Sequence, residues 1–108
     1  MQIELDGVRY VREGDRTAVF VDARPAQDFG AGSLLGSRNI PLPEVSAAKD
    51  DGRLPMEDHN TRTVVFGGDT EQARAVATAL AKNAFHNVAF FDGTLEDLLI
   101  GLGAGAAA

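Results

Sequence analysis

The chain has 108 residues, of which 44% are hydrophobic and 24% charged, the balance of one ordinary globular domain with no room for a second core. Ten Lys and Arg against sixteen Asp and Glu leave a formal charge of -6, and no basic run is present, which argues against nucleic acid or an anionic membrane as a partner. There is no cysteine, so disulfides, thiolate metal sites and cysteine nucleophiles are excluded together.

The first ten residues, MQIELDGVRY, carry Glu4, Asp6 and Arg9 where a secretory signal would be apolar, and no segment has the length of a membrane span; a cytoplasmic location is expected. Ile3 and Leu5, then Val8 and Tyr10, alternate around Asp6-Gly7, which predicts an edge hairpin. Thr17 to Asp22 is a run of β-branched and aromatic residues that reads as a buried strand. Pro25 then opens a short helix to Phe29, ended by Gly30 and Gly32. Residues 37–41 can extend, Pro43 opens a second helix over 44–49, and residues 52–61 read as loop. Arg62 to Phe66 is the next strand. After Gly67-Gly68-Asp69, the apolar spacing of Ala73, Val76, Ala77, Leu80 and Ala84 predicts a helix, the strongest periodic signal in the chain. Residues 87–91 form the last strand, with Phe90 and Phe91 facing opposite sides, and Thr94 caps a final helix through Leu95, Leu98 and Leu99.

Short apolar strands alternating with helices imply the α/β class, with a central, mainly parallel sheet covered by helices on both faces. The domain is expected over residues 1–100, and the Gly/Ala-rich residues 101–108 are expected to be a flexible tail without function.

Three stretches in order resemble the rhodanese-like domain family. A strand runs into Asp22-Ala23-Arg24-Pro25, similar to the family's Asp-x-Arg. Gly32-Ser-Leu-Leu-Gly36-Ser-Arg-Asn39-Ile40-Pro41 is similar to its Gly-His-Ile-Pro-Gly-Ala-x-Asn-Ile-Pro turn. Thr63 to Gly68, the long helix, Ala84-Phe85-His86-Asn87-Val88 and Asp92-Gly93 follow its remaining order, and the likeness spans roughly residues 17–99. The resemblance implies a cysteine nucleophile directly after the strand ending at Phe66, carrying a persulfide, or a phosphoryl group in the related phosphatases. Gly67 stands there. Where the family often places an anion-holding arginine, this chain has Gln72, flanked by Asp69 and Glu71.

These departures imply a domain without sulfurtransfer, used for binding or regulation, with no cofactor and no metal. The expected contact surface is the loop of Gly67, Gly68, Asp69, Thr70, Glu71 and Gln72, together with Asp22, Arg24, Ser33 and Arg38. Asp69 and Gln72 fit a capping box, which satisfies the helix terminus internally where a relative would hold an anion. The resemblance implies that Asp22 and Arg24 form a structural ion pair, which Arg38 can join, and Ser33 reads as bonded to nearby backbone. Against this stands an enzyme of another class, with Asp69 or Glu71 as general acid or base; such a polar loop offers little burial to raise a carboxyl pKa. A third reading is self-association through the acidic loop, and otherwise the partner is an unknown protein. Of the two histidines, His59 in Glu57-Asp58-His59-Asn60 reads as solvated loop and His86 as surface or partly packed.

Overall fold

A computed structural model describes all 108 residues. Five strands, β1 (Gln2–Ile3), β2 (Val19–Asp22), β3 (Arg38–Asn39), β4 (Thr63–Phe66) and β5 (Val88–Phe91), form one sheet in the order β1-β5-β4-β2-β3. Every neighbouring pair is parallel, with Val21 opposite Val65 and Val65 opposite Phe90 at the centre. The helices are α1 (Leu5–Gly14), α2 (Ala26–Ala31), α3 (Val45–Asp50), α4 (Thr70–Lys82) and α5 (Leu95–Leu102), and a 3-10 turn at Leu42–Glu44 leads into α3.

The alternation of side chains along β2 and β4 divides the interior into two cores. Val19, Val21 and Val65 meet Val45 and Ala48 of α3 and Ala73, Val76 and Leu80 of α4. Phe20, Val64 and Phe66 meet Val8 and Val11 of α1 and Leu95 and Leu98 of α5 on the other face. The consecutive aromatics of β5 separate as expected. Phe91 lies in the α1/α5 core, and Phe90 packs toward α4 with the Arg74 guanidinium 5.1 Å above its ring. In α4 the predicted positions Ala73, Val76, Ala77 and Leu80 are buried, whereas Ala84 lies beyond its end.

The edge hairpin is not formed. Residues 5–14 are helix α1, and β1 is a two-residue strand at the sheet edge. The physical reason is the spacing of Leu5, Val8 and Val11, which turns one apolar stripe to the sheet and leaves Tyr10 74% exposed. Gly7 supplies no turn. It is small because a Cβ there would stand 2.6 Å from Ile3 Cγ1, where the strand doubles back against the first turn of α1.

The tail is not free either. Gly101 and Leu102 complete α5, and the chain then returns along residues 33–35, with Leu34 and Ala107 in an antiparallel bridge. Leu35 N donates to Ala106 O at 2.7 Å, Ala108 N donates to Ser33 O at 2.8 Å, and Ala106 is buried in the α1/α5 core. Backbone hydrogen bonds hold a segment whose side chains are too small to announce it.

Residues 52–61 are irregular, as expected, and Glu57, Asp58 and Asn60 are exposed, but their histidine is half-buried. The His59 ring stacks on Phe85 with centroids 4.5 Å apart, and His59 O accepts from His86 N. Arg53 braces the same segment by donating to Asn39 O and to the carboxylates of Glu44 and Asp51, and the Arg53 side-chain bond is the main cause that holds the Asp51 carboxyl below its ordinary 3.8.

After α4, Ala84 takes φ 69°, the left-handed turn that brings Phe85 into the core, at the position where the resemblance has glycine. A Cβ in that region costs about 1–2 kcal/mol. The greater freedom of glycine in the unfolded chain offsets part of this. Ala84→Gly is therefore expected to stabilise the domain by about 0.5–1 kcal/mol, read as a higher urea midpoint at unchanged m-value.

Candidate functional site

The C-terminal ends of β2, β4 and β5 open on one side of the sheet, the edge at which ligands of parallel α/β folds sit. β2 ends in Asp22, which is fully buried. Its carboxylate accepts from Arg24 Nε at 3.0 Å, from Arg24 Nη2 at 2.7 Å and from the Arg24 backbone N at 2.9 Å. Ser33 Oγ donates to the same carboxylate at 2.7 Å. Arg24 Nη2 also donates to Gly32 O at 2.6 Å, and Asn39 Nδ2 reaches the carbonyls of Asp22 and Arg24. The pair thus ties the β2 exit to the 32–39 segment, and its Asp–Arg core is the structural ion pair expected from the resemblance.

Two members of the expected set have partners other than those expected. Ser33 bonds the Asp22 carboxylate and the Ser37 hydroxyl, not backbone, because it lies buried beneath the turn. Arg38 does not join the pair. It lies in β3 opposite Val21, and its side chain donates to Arg53 O at 2.9 Å and lines a cavity with Thr17, Lys49 and Asp58.

β4 runs through the buried Phe66 into Gly67, whose carbonyl accepts from Leu95 N at 2.9 Å and fixes the start of α5 beside the loop. Asp69 caps α4 by accepting from Gln72 N at 2.8 Å. The expected capping box closes one residue further back. Gln72 Oε1 accepts from Gly68 N at 2.7 Å instead of from Asp69. A Cβ on Gly67 would meet that carboxamide oxygen at 2.9 Å and Ala73 N at 3.3 Å. The Gln72 side chain therefore stands against the place where a side chain at 67 would begin, and it takes a loop N–H that would otherwise face the mouth. The remaining loop residues are exposed or held locally: Glu71 pairs with Arg74 one turn on, and Thr70 Oγ1 donates to Asp92 Oδ1 and accepts from Gly93 N. No three His, Asp or Glu side chains converge as a metal would require.

Sequence reasoning did not find the wall opposite this loop. Leu95, Leu99 and Ile100 of α5 line, with Arg24, Gly32 and Gly68, a cleft of about 510 Å³ at the mouth. The signal was present in Ile100, an apolar residue on the outer face of a helix whose inner face is already complete with Leu95 and Leu98. No helix is long and apolar enough to cross a membrane.

The comparisons with known proteins agree with this geometry. No curated protein matches the sequence. The solution structure of the rhodanese-like domain of the Alr3790 protein from Anabaena sp. is similar, with 19% identity, a TM-score of 0.82, and coverage of 99% of this chain and 77% of that one. SSP1007 from Staphylococcus saprophyticus is 15% identical with a TM-score of 0.72 over 91% and 92% of the two chains. A rhodanese-related protein from Thermoplasma volcanium is 16% identical with a TM-score of 0.66 over 90% and 88%. At these identities the likeness is one of fold. The family model of the rhodanese-like domain matches residues 9–99, taking in the Asp22–Arg24 pair, the Gly67 loop and the start of α5, and the chain belongs to that family.

Proposed function

We propose that this is a rhodanese-like domain without catalysis, serving as a binding or regulatory module whose contact surface is the 67–72 loop and the mouth beside it. A chain with no cysteine holds no persulfide, so sulfurtransfer through a cysteine of its own is chemically closed. The observation that carries the reading is the state of the loop. Gly67 stands at the nucleophile position, and Gln72 Oε1 takes the Gly68 N–H and crowds the space above Gly67. Arg24, the cation at the mouth, is engaged with Asp22 and Gly32 O. The same hydrogen bonds hold the loops in one arrangement, and rigidly held loops carry recognition well.

The test uses the immobilised domain beside a control in which Asp69, Glu71 and Gln72 are replaced by alanine, with folding checked by circular dichroism because the cap alone is worth about 1 kcal/mol. Proteins retained by the natural loop and lost from the control are expected. Thiosulfate–cyanide and phosphoester assays are expected to show no turnover. Turnover abolished by Asp69→Asn would overturn the reading in favour of acid–base chemistry.

A further inference from the structure

Helix α5 presents two neighbouring rows to the mouth, each of residues one turn apart: Leu95 with Leu99, and Glu96 with Ile100. With Gly32 and Gly68, which contribute no side chain, they line a cleft of about 510 Å³ whose walls are mostly apolar. Such a volume is in the range of binding clefts. Ile100 is 73% exposed on its rim, and an isolated exposed isoleucine would need no explanation. Here it continues the apolar wall.

The rim is acidic. Glu96 lines the cleft, Asp69 follows Gly68 of its wall in the chain, Asp97 accepts from the backbone N of its Thr94, and Asp92 is held by Thr70 Oγ1 and Gln2 Nε2. None of these four carboxylates takes part in any of the six ion pairs of the fold. An acidic or anionic occupant would therefore meet like charge, and the nearest cation, Arg24, is already engaged by Asp22. A second copy fits poorly for the same reason, since a chain of formal charge -6 would bring two acidic mouths together.

We propose that this cleft docks a basic segment of a partner protein, which lays an apolar side chain against Leu99 and Ile100 while its Lys or Arg residues face Asp69, Asp92, Glu96 and Asp97. The proposal rests on the binding-module reading and adds the chemistry of the partner to it. Apolar contact supplies the anchor, and the exposed carboxylates supply orientation and a rate of encounter that salt weakens.

The experiment titrates the ¹⁵N-labelled domain with a short synthetic peptide of Lys, Arg and Leu, and with its analogue in which Glu replaces every Lys and Arg. The basic peptide is expected to shift the amides of Gly32, Gly68, Leu99 and Ile100 saturably, and the acidic analogue to leave them in place. Ile100→Ser should weaken binding about tenfold, by loss of the apolar anchor. Glu96→Gln should weaken it about two- to fivefold, and added salt should act in the same direction. Both substituted side chains are exposed, so the variants keep the fold. Equal binding of the acidic analogue, shifts confined to another face, or indifference to Ile100→Ser would overturn the proposal. So would sedimentation showing a dimer that Ile100→Ser dissolves. If the peptides fail while proteins are still captured through the 67–72 loop, the partner chemistry falls and the binding-module reading stands.

Discussion

Asp22→Ala is expected to destabilise the domain by about 3 kcal/mol, near the lower end of what removal of one partner from a buried ion pair costs. The substitution leaves the Arg24 guanidinium, only 17% exposed, without its carboxylate, and it strips Ser33 Oγ of its acceptor at the same time. Partial exposure lets water reach Arg24, and Gly32 O still accepts from it, which keeps the loss from being larger. For a domain of this size the melting temperature should fall by about 10–20 °C. Ser33→Ala, which removes the bonds to Asp22 and Ser37 and leaves the pair intact, should cost about 1–2 kcal/mol. The ordering distinguishes an ion pair that holds the mouth together from one that merely decorates it. If Asp22→Ala and Ser33→Ala lowered stability equally in urea unfolding, the role assigned to Arg24 would be wrong.

That pair also shows what could be read from the residues. Asp22 and Arg24 follow an apolar run, and a strand ending in Asp-x-Arg places both at the exit of the sheet. The same holds for α4, where apolar spacing and an Asp69 cap agree, so local propensity and tertiary burial point to one answer. Helix α1 was misread because Asp6-Gly7 is a strong turn signal. The glycine is there for a close approach to Ile3, a tertiary demand that has the same letter as a turn. The docked tail escaped notice because alanine and glycine carry no pattern, and its hydrogen bonds are made by backbone to a segment seventy residues away in sequence, roughly. His59 on Phe85 is likewise a long-range contact between two loops. At the site, Gly67 and Gln72 were legible as types. That Gln72 bends back to Gly68 was not, since a glutamine at the third position of a helix more often serves the cap residue itself.

Gly67→Cys asks whether a thiol is the only thing the loop lacks. The new Cβ would lie 2.9 Å from Gln72 Oε1 and 3.3 Å from Ala73 N. Gln72 is the movable neighbour and the helix backbone is not, so the side chain must leave and its bond from Gly68 N must break. Overpacking of this kind costs about 1–2 kcal/mol. Gln72→Ala alone should cost little, because Gly68 is exposed and its N–H turns to water, but it removes the closest contact that the cysteine meets and leaves those at 3.3 Å to the Cβ of residue 72 and to Ala73 N. The two substitutions are therefore expected to be non-additive, the double variant being about 1 kcal/mol more stable than the sum of the singles predicts. Alkylation by iodoacetamide should follow the same order, slow in Gly67→Cys and faster when Gln72→Ala frees the Gly68 N–H to favour a thiolate. Thiosulfate turnover is expected from neither variant. An incoming dianion would find Glu96 in the wall and Asp69 next to Gly68, and the one cation of the cleft held by Asp22. Turnover by the single variant would mean that the surrounding charges do not matter and that this domain differs from a working sulfurtransferase by one side chain. Additive stabilities with a readily alkylated thiol in the single variant would mean that Gln72 does not guard the position at all, and the account of the loop as closed on itself would have to be abandoned.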